Sequence, residues 1–503
     1  MKSSAKQTAS FLLFAFVLCS AYGQVSTDKL GQIDEYIENA RIQWETPGLA
    51  VAIVKDGQIL LSKGYGEKKI SSGDIVNEKT IFSVGSTTKA MTAAALAMLI
   101  DEGKAGWNDK VIDHMPYFQL HDSYATRELR VKDLFTHNAG VGNADLLWAL
   151  FDHSPEEIVR RLRYFEPSYT FRGGYTYQNI MYAAAGLLIE KLSGMTWAEF
   201  IKKRIFEPLG MNHTVALRRE AMQIENRSIA HDYVNGKVSP VLDSNADRIG
   251  AAGSVWSCTD DMAKWMIFVL DSAQVDGQRL ISKESFTILH QPHVIIPRSN
   301  FYPTGSLTKP NFTTYALGWF QHDYQGDFVH FHTGSLNGTV AIIGLLPEHD
   351  LGVYVFGNLD HTEVRHALMY KVFDVFQDNP PRDWSSEFKS LYDGFKQASE
   401  NRRNQLKEER LPNTSPSRDL EKYTGSFVNE RLGSVDISMK DDGQFNIQFR
   451  EDRNMTLSHW HYDTFLAKID EYIQDQGNLV SFHSNHDGVE SITIYGYEFT
   501  KVE

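Results

Sequence analysis

The sequence predicts an α+β fold. An antiparallel sheet is closed by early and late segments and flanked by helices, a helical subdomain fills the middle, and a small all-β barrel-like domain follows. Three observations predict it. Apolar, β-prone runs stand at both ends of the stretch 28–377. The stretch from about 110 to 300 reads as helices joined by long loops. Residues 419–503 carry short alternating strands separated by turn signals.

In chain order, Met1–Lys6 is positively charged, Phe11–Leu18 is apolar, and Ala21-Tyr22-Gly23 ends the run in a small-x-small pattern. This predicts a signal peptide over 1–23, cleaved near Gly23, and a secreted or periplasmic protein. The apolar core is shorter than the about 20 residues a membrane span needs, so no stable membrane anchor is expected. Cys19 follows Leu18 rather than a small residue, which fits a lipoprotein signal poorly. Leu49–Val54 and Gln58–Ser62, joined by Asp56-Gly57, read as a β-hairpin. Thr339–Leu346 and Leu351–Phe356 read as two late strands, with a helix from about Thr362 to Phe376. Gln291–Thr314, rich in Pro, Asn and Thr, reads as a wall or lid over a cleft. Residues 378–418 form a linker: Asp378-Asn379-Pro380-Pro381 breaks the chain, and Glu387–Glu409 is a charged helix. Beyond it, Ser434–Met439, Gln444–Phe449, Thr464–Ile469, Val480–His483 and Ser491–Tyr497 read as strands.

Chemistry concentrates in three places. Ser86-Thr87-Thr88-Lys89 precedes an Ala-, Leu- and Met-rich helix. Residues i and i+3 share a helix face, so the Lys89 amine can reach the Ser86 hydroxyl. A serine becomes nucleophilic when a neighbouring base takes its proton, and a desolvated lysine can be that base. A helix N-terminus adds free N–H donors where an oxyanion would form. The second place is Tyr177-Gln178-Asn179, at a loop-to-helix junction, and the third is His332-Thr333-Gly334-Ser335, before an apolar strand. Taken singly, each has a plainer reading: a capping serine with a solvated lysine, a core aromatic, and one member of the alternating strand Val329–His332.

In this order the three resemble the motifs of the penicillin-recognising serine enzymes. The chain is similar to the serine β-lactamase-like family, in the branch that holds class C β-lactamases, D-Ala-D-Ala carboxypeptidases, D-aminopeptidases and related esterases. Leu134–Val141, Ala251–Ala263 and Tyr315–Trp319 look like that branch too, and the resemblance spans roughly 28–377. It implies an exported serine hydrolase acting through an acyl-enzyme on a small ester or amide. Ser86 would be the nucleophile, and Lys89 its base or the holder of the base. Tyr177 would pass a proton to the leaving group and later activate water. Asn179 would bond Lys89 and the substrate amide. His332, Thr333 and Gly334 would line the substrate strand and meet its carboxylate, and the N–H groups of Ser86 and Ser335 would form the oxyanion hole. Most β-lactamases of this branch carry Lys-Thr-Gly where this chain has His332-Thr333-Gly334. An imidazole binds a carboxylate less strongly than an ammonium, and its charge changes near pH 6.5. Weak or absent β-lactamase activity is therefore expected. A second reading is a penicillin-binding, sensor or scaffold protein with little turnover. Leu420–Phe427 resembles the start of a lipocalin-like module found after such hydrolases.

Composition narrows the partners. The chain has 503 residues and a net charge of -14, and loses Lys2 and Lys6 with the leader. That disfavours nucleic acid and anionic membranes and leaves a small ester, peptide or β-lactam-like substrate, with a homo-oligomer open. Cys258 alone follows the leader, so no internal disulfide is expected. Six Asn-x-Ser/Thr triplets occur, and a glycan on Asn337 would obstruct the third motif, which argues for a bacterial source. Serine acyl transfer needs no cofactor. His459, His461, His483 and His486 are explained by strand alternation, so no metal is expected.

Overall fold

A computed structural model describes residues 28–440, 443–468 and 478–502. The expected signal peptide, and Asp442 and Ile469 of the expected barrel, lie outside the described residues. Among those described, no helix is long and apolar enough to cross a membrane.

An eight-stranded antiparallel sheet organises residues 48–357. Its strands are β1 (Gly48–Lys55), β2 (Gln58–Gly66), β3 (Val294–Ile295), β4 (Thr313–Tyr315), β5 (Phe320–Tyr324), β6 (Asp327–Leu336), β7 (Thr339–Leu346) and β8 (Leu351–Gly357). They lie in the order β2-β1-β8-β7-β6-β5-β4-β3. The early hairpin joins the late strands through β1 and β8, with Leu49 opposite Gly357 and Lys55 opposite Leu351. Asp56 and Gly57 both have positive φ (51° and 70°), the backbone of a tight hairpin turn.

Both faces of β1 are covered, so its sequence is apolar throughout rather than alternating. Leu49, Val51 and Ile53 pack with Ile33 and Ile37 of helix α1 (28–43). Ala50, Ala52 and Val54 face the other way, toward helix α2 (Thr88–Asp101) and the helical subdomain. Helix α2 is buried from Thr88 to Leu99 and runs through the middle of that core. Helices α3 (Ile180–Ser193) and α4 (Thr259–Leu270) pack in the same layer. Helix α5 (Val364–Phe376) joins α1 on the opposite face. The charged helix α6 (Trp384–Glu408) starts three residues before Glu387, because the Asp383 side chain caps it by accepting the Ser386 N–H.

The C-terminal strands form a closed barrel of eight, where the alternation had marked five. The unmarked ones include Gly425–Asn429 and Arg453–His461. The latter carries Asn454, Thr456, Ser458 and His459 outward, and only Met455, Leu457 and Trp460 are buried. The expected strand Ser491–Tyr497 is instead a hairpin, Val489–Ile494 and Tyr497–Lys501, turning at Tyr495 and Gly496 with φ of 55° and 77°. Tyr423, Phe445, Phe465 and Phe482 fill the interior in edge-on and tilted pairs.

The Ser86 turn is pressed against β6. Gly85 has φ of 52°, and a Cβ there would stand 2.7 Å from the Ser335 nitrogen. A Cβ on Gly334 would stand 1.9 Å from the Val84 carbonyl oxygen. Gly334→Ala is expected to cost about 1–3 kcal/mol of stability, as overpacking does, and to slow any Ser86 chemistry. Denaturant unfolding checks it, and an unchanged midpoint would contradict so close an approach.

Candidate active site

Ser86 lies in a 3-10 turn, Gly85–Thr87, that leads into α2. Thr87 fastens the turn: its hydroxyl donates to the Val84 carbonyl at 3.0 Å and meets the Tyr354 hydroxyl of β8 at 2.7 Å. Lys89 follows on the first turn of α2 and is fully buried. Its Nζ is 3.0 Å from Ser86 Oγ, 2.7 Å from Asn179 Oδ1 and 2.9 Å from the Ala252 carbonyl. It also faces the rings of Tyr177 and Tyr182 at 4.8 and 5.1 Å. Burial pulls its pKa down from 10.5 to about 7, against the opposing pull of the Asp145 carboxylate. In the neutral amine, two N–H bonds serve the two carbonyl oxygens. The lone pair then faces the Ser86 hydroxyl, the arrangement of a base beside its nucleophile.

Asn179 stands at the N-cap position of α3, where its side chain makes no capping bond, and its orientation is set by Asp145. Its Nδ2 donates to both Asp145 oxygens at 3.0 Å, which turns Oδ1 toward Lys89. Asn179 thus makes the expected bond to Lys89, and a second Nδ2 hydrogen and a second Oδ1 lone pair remain for the expected bond to a substrate amide. Asp145 also accepts from the Trp148 indole N–H at 2.8 Å.

Tyr177 is placed by its neighbours. His137 adopts a left-handed backbone (φ 59°). Its carbonyl accepts the Thr176 N–H at 2.9 Å, and its Nδ1 accepts the Gln178 N–H at 3.0 Å. Its ring lies 4.4 Å from the Tyr177 ring. Because Nδ1 accepts, the proton of this neutral ring is on Nε2. Burial, with Lys89 and His332 nearby, holds the His137 pKa well below its ordinary value. Burial also raises the Tyr177 hydroxyl well above its ordinary pKa, while Ser86 draws it back down.

The third motif departs from expectation. His332 is fully buried. Its Nδ1 donates to the Thr333 carbonyl at 2.7 Å, so its Nε2 accepts from the Tyr315 hydroxyl at 2.9 Å. Burial, with a contribution from Lys89, lowers its pKa to about 3. The anticipated change of charge near pH 6.5 does not occur, because that expectation assumed a solvated imidazole. Thr333 Oγ1 meets the Tyr302 hydroxyl at 2.5 Å, which makes the 291–314 segment a wall beside the motif. Past Phe331, β6 has no partner in β5, so residues 332–336 pair with β7 alone. Gly334 and Ser335 are held from behind by Arg365. Its Nη1 donates to the Gly334 carbonyl at 2.5 Å, to Ser335 Oγ at 2.9 Å and to the Ala341 carbonyl at 3.1 Å. Its Nε and Nη2 donate to Glu363, both at 3.0 Å.

The structure therefore brings together Ser86, Lys89, Tyr177, Asn179 and the His332–Ser335 strand. Sequence reasoning missed Asp145, His137, Tyr315 and Arg365. His137 and Tyr315 had a signal, since they lie in the recognised stretches Leu134–Val141 and Tyr315–Trp319; Asp145 and Arg365 had none. Cys258 is buried, and burial pushes its thiol to about 12, which fits packing rather than reactivity. Among the described residues no cluster of His, Cys, Asp or Glu could hold a metal ion. On the barrel, His459 donates to the Tyr462 carbonyl and His483 meets Thr493.

Comparison with known proteins gives the family and the fold. An unguisins hydrolase of Aspergillus campestris is 29% identical over 452 residues, covering 86% of this chain and 82% of its own. The protein flp of Staphylococcus aureus is 24% identical over 345 residues, covering 67% of this chain and 64% of its own. Among solved structures, the octameric penicillin-binding protein homologue from Pyrococcus abyssi superposes with a TM-score of 0.62 at 20% identity, over 94% of this chain and 100% of that one. SurE superposes with a TM-score of 0.57 at 15% identity, over 95% and 100%. Residues 409–503 match a domain of unknown function, DUF3471. Residues 33–374 match the β-lactamase family, to which this chain belongs.

Proposed function

We propose that the protein is an exported serine hydrolase that acts on a small ester or amide through an acyl-enzyme on Ser86. One observation carries the reading. Lys89 is a buried amine with a pKa near 7, and its two N–H bonds are taken by Asn179 and Ala252, so its lone pair is left for Ser86. Lys89 takes the Ser86 proton as Oγ attacks the substrate carbonyl. The N–H groups of Ser86 and Ser335 receive the oxyanion; such donors are worth about 3–4 kcal/mol each in acyl transfer. Tyr177, protonated at neutral pH, gives its proton to the leaving group, and Tyr177 with Lys89 then activates the water that frees Ser86.

The third motif supports esterase, D-aminopeptidase or carboxypeptidase-like turnover over β-lactam hydrolysis. His332 is neutral and bonded to Tyr315, so it offers no cation to a substrate carboxylate. Arg365 reaches Ser335, but all three of its nitrogens are already engaged. The Aspergillus campestris relative is named as a hydrolase of unguisins, and a hydrolytic role here agrees with that name. Self-association is proposed alongside; one structural neighbour is described as octameric.

Incubation with a short-chain p-nitrophenyl ester and, separately, nitrocefin, with intact mass recorded over time, tests the reading. Ester turnover, little nitrocefin cleavage and no turnover by Ser86→Ala are expected. A stable mass increase on Ser86 without turnover would instead favour a penicillin-binding or sensor protein. Rate against pH gives a second test. The base must be neutral, so kcat/KM should rise through a pH of about 7 and then level off. A flat profile from pH 5 to 9 would remove Lys89 from the proton transfer.

A further inference from the structure

Asp145 turns Asn179 toward Lys89, and Asp145 itself stands at the head of an irregular segment with a single short helical turn, Leu146–Ala149. That segment is held from outside by the C-terminal barrel. The Arg450 Nη1 donates to the Trp148 carbonyl at 3.3 Å, and the Trp148 indole donates to Asp145 at 2.8 Å. Phe151 is buried between Phe449, edge-on at 5.6 Å, and Phe499, stacked at 6.3 Å. His153 Nε2 donates to the Leu432 carbonyl at 2.6 Å. Further along the chain, Arg161 donates to the Glu430 carbonyl at 2.8 Å and Arg431 pairs with Glu166 at 3.2 Å. From the hydrolase side, Arg248 pairs with Asp152.

Two features make this more than surface contact. Phe151 gets its cover from barrel aromatics, so a hydrolase domain without the barrel would expose the ring. Arg450 is buried, and a buried guanidinium needs every partner it has: Asp452 at 2.5 Å and the Trp148 carbonyl. The barrel interior is filled by its own aromatics. Arg450 reaches the Trp148 carbonyl of the hydrolase domain.

We infer that the C-terminal barrel is a positioning module for the active site: Arg450 and the Phe449–Phe499 pair fix residues 145–153, and so hold Asp145 where it orients Asn179 on Lys89. Arg450 is a positioning residue. The inference rests on the reading of Lys89 as the base of Ser86.

Full-length Arg450→Met, Asp145→Asn and the double variant test it with the p-nitrophenyl ester across pH 5–9. Lys89 is faced by the Asp145 carboxylate, by the Tyr177 and Tyr182 rings, and by His137 and His332, which burial keeps neutral. Asp145 favours the protonated amine, so losing its placement lowers the Lys89 pKa. Arg450→Met should reduce kcat about 10- to 100-fold, the scale of a small misplacement of catalytic groups. It should also move the acid limb to lower pH, as Asp145→Asn does, and the double variant should be no slower than Asp145→Asn alone. Trp148→Phe, which removes the indole N–H and leaves the barrel intact, should show the same shift if Arg450→Met does not fold. A folded Arg450→Met or Trp148→Phe with wild-type kcat and acid limb would overturn the inference. So would losses that multiply in the double variant. Ser86→Ala with wild-type turnover would instead overturn the acyl-enzyme reading itself.

Discussion

An ammonium group removed from water is expensive, and Lys89 has been removed completely. Three acceptors reach its Nζ, and none is a carboxylate in direct contact. Full burial of a charge would cost several kcal/mol, and the amine avoids that by titrating near neutrality. The surrounding structure serves this one constraint. Helix α2 is buried along most of its length, which keeps water from the amine. Gly85 and Gly334 allow the Ser86 turn to lie against β6, so the hydroxyl, the amine and the Ser335 backbone converge.

The neutrality of the neighbours follows from the same constraint. His137 and His332 both lie close enough to Lys89 to influence it, and a charge on either would oppose a second cation. Both are fixed as neutral tautomers by backbone partners, His137 by the Gln178 N–H and His332 by the Thr333 carbonyl. The imidazole at the third motif thus brings no positive charge of its own, and the Arg365 guanidinium behind the strand is paired with Glu363. A neutral substrate suits such a cleft better than an anionic one.

Much of the fold was legible because its signals are local. The Asp56-Gly57 hairpin, the apolar run of β1 and the pair β7–β8 stand in the sequence as they stand in the sheet. The Ser86–Lys89 spacing was legible for the same reason, since it spans one helical turn. Asp145 was not, because its partner Asn179 lies 34 residues away and nothing local marks an aspartate as an orienting group. His332 was visible but misjudged: burial decides its charge, and burial depends on Tyr315 and β5. The barrel strand Arg453–His461 alternates only over Asn454–Ser458 and loses its period at Ser458-His459, beside a register shift between His459 and His461.

The joining of a β-lactamase-family domain to a C-terminal barrel in this chain gains a physical account if both parts act on one lysine. The hydrolase core buries the amine, and the barrel steadies the loop whose carboxylate aligns its partner. The direct measurement is the pKa of the Lys89 side chain in the full-length protein, read by NMR titration of selectively labelled lysine and assigned with a Lys89→Arg variant. A midpoint near 7 is the result this account predicts. A midpoint near the ordinary value of about 10.4 would leave Lys89 a cation at neutral pH and would contradict its role as the base of Ser86.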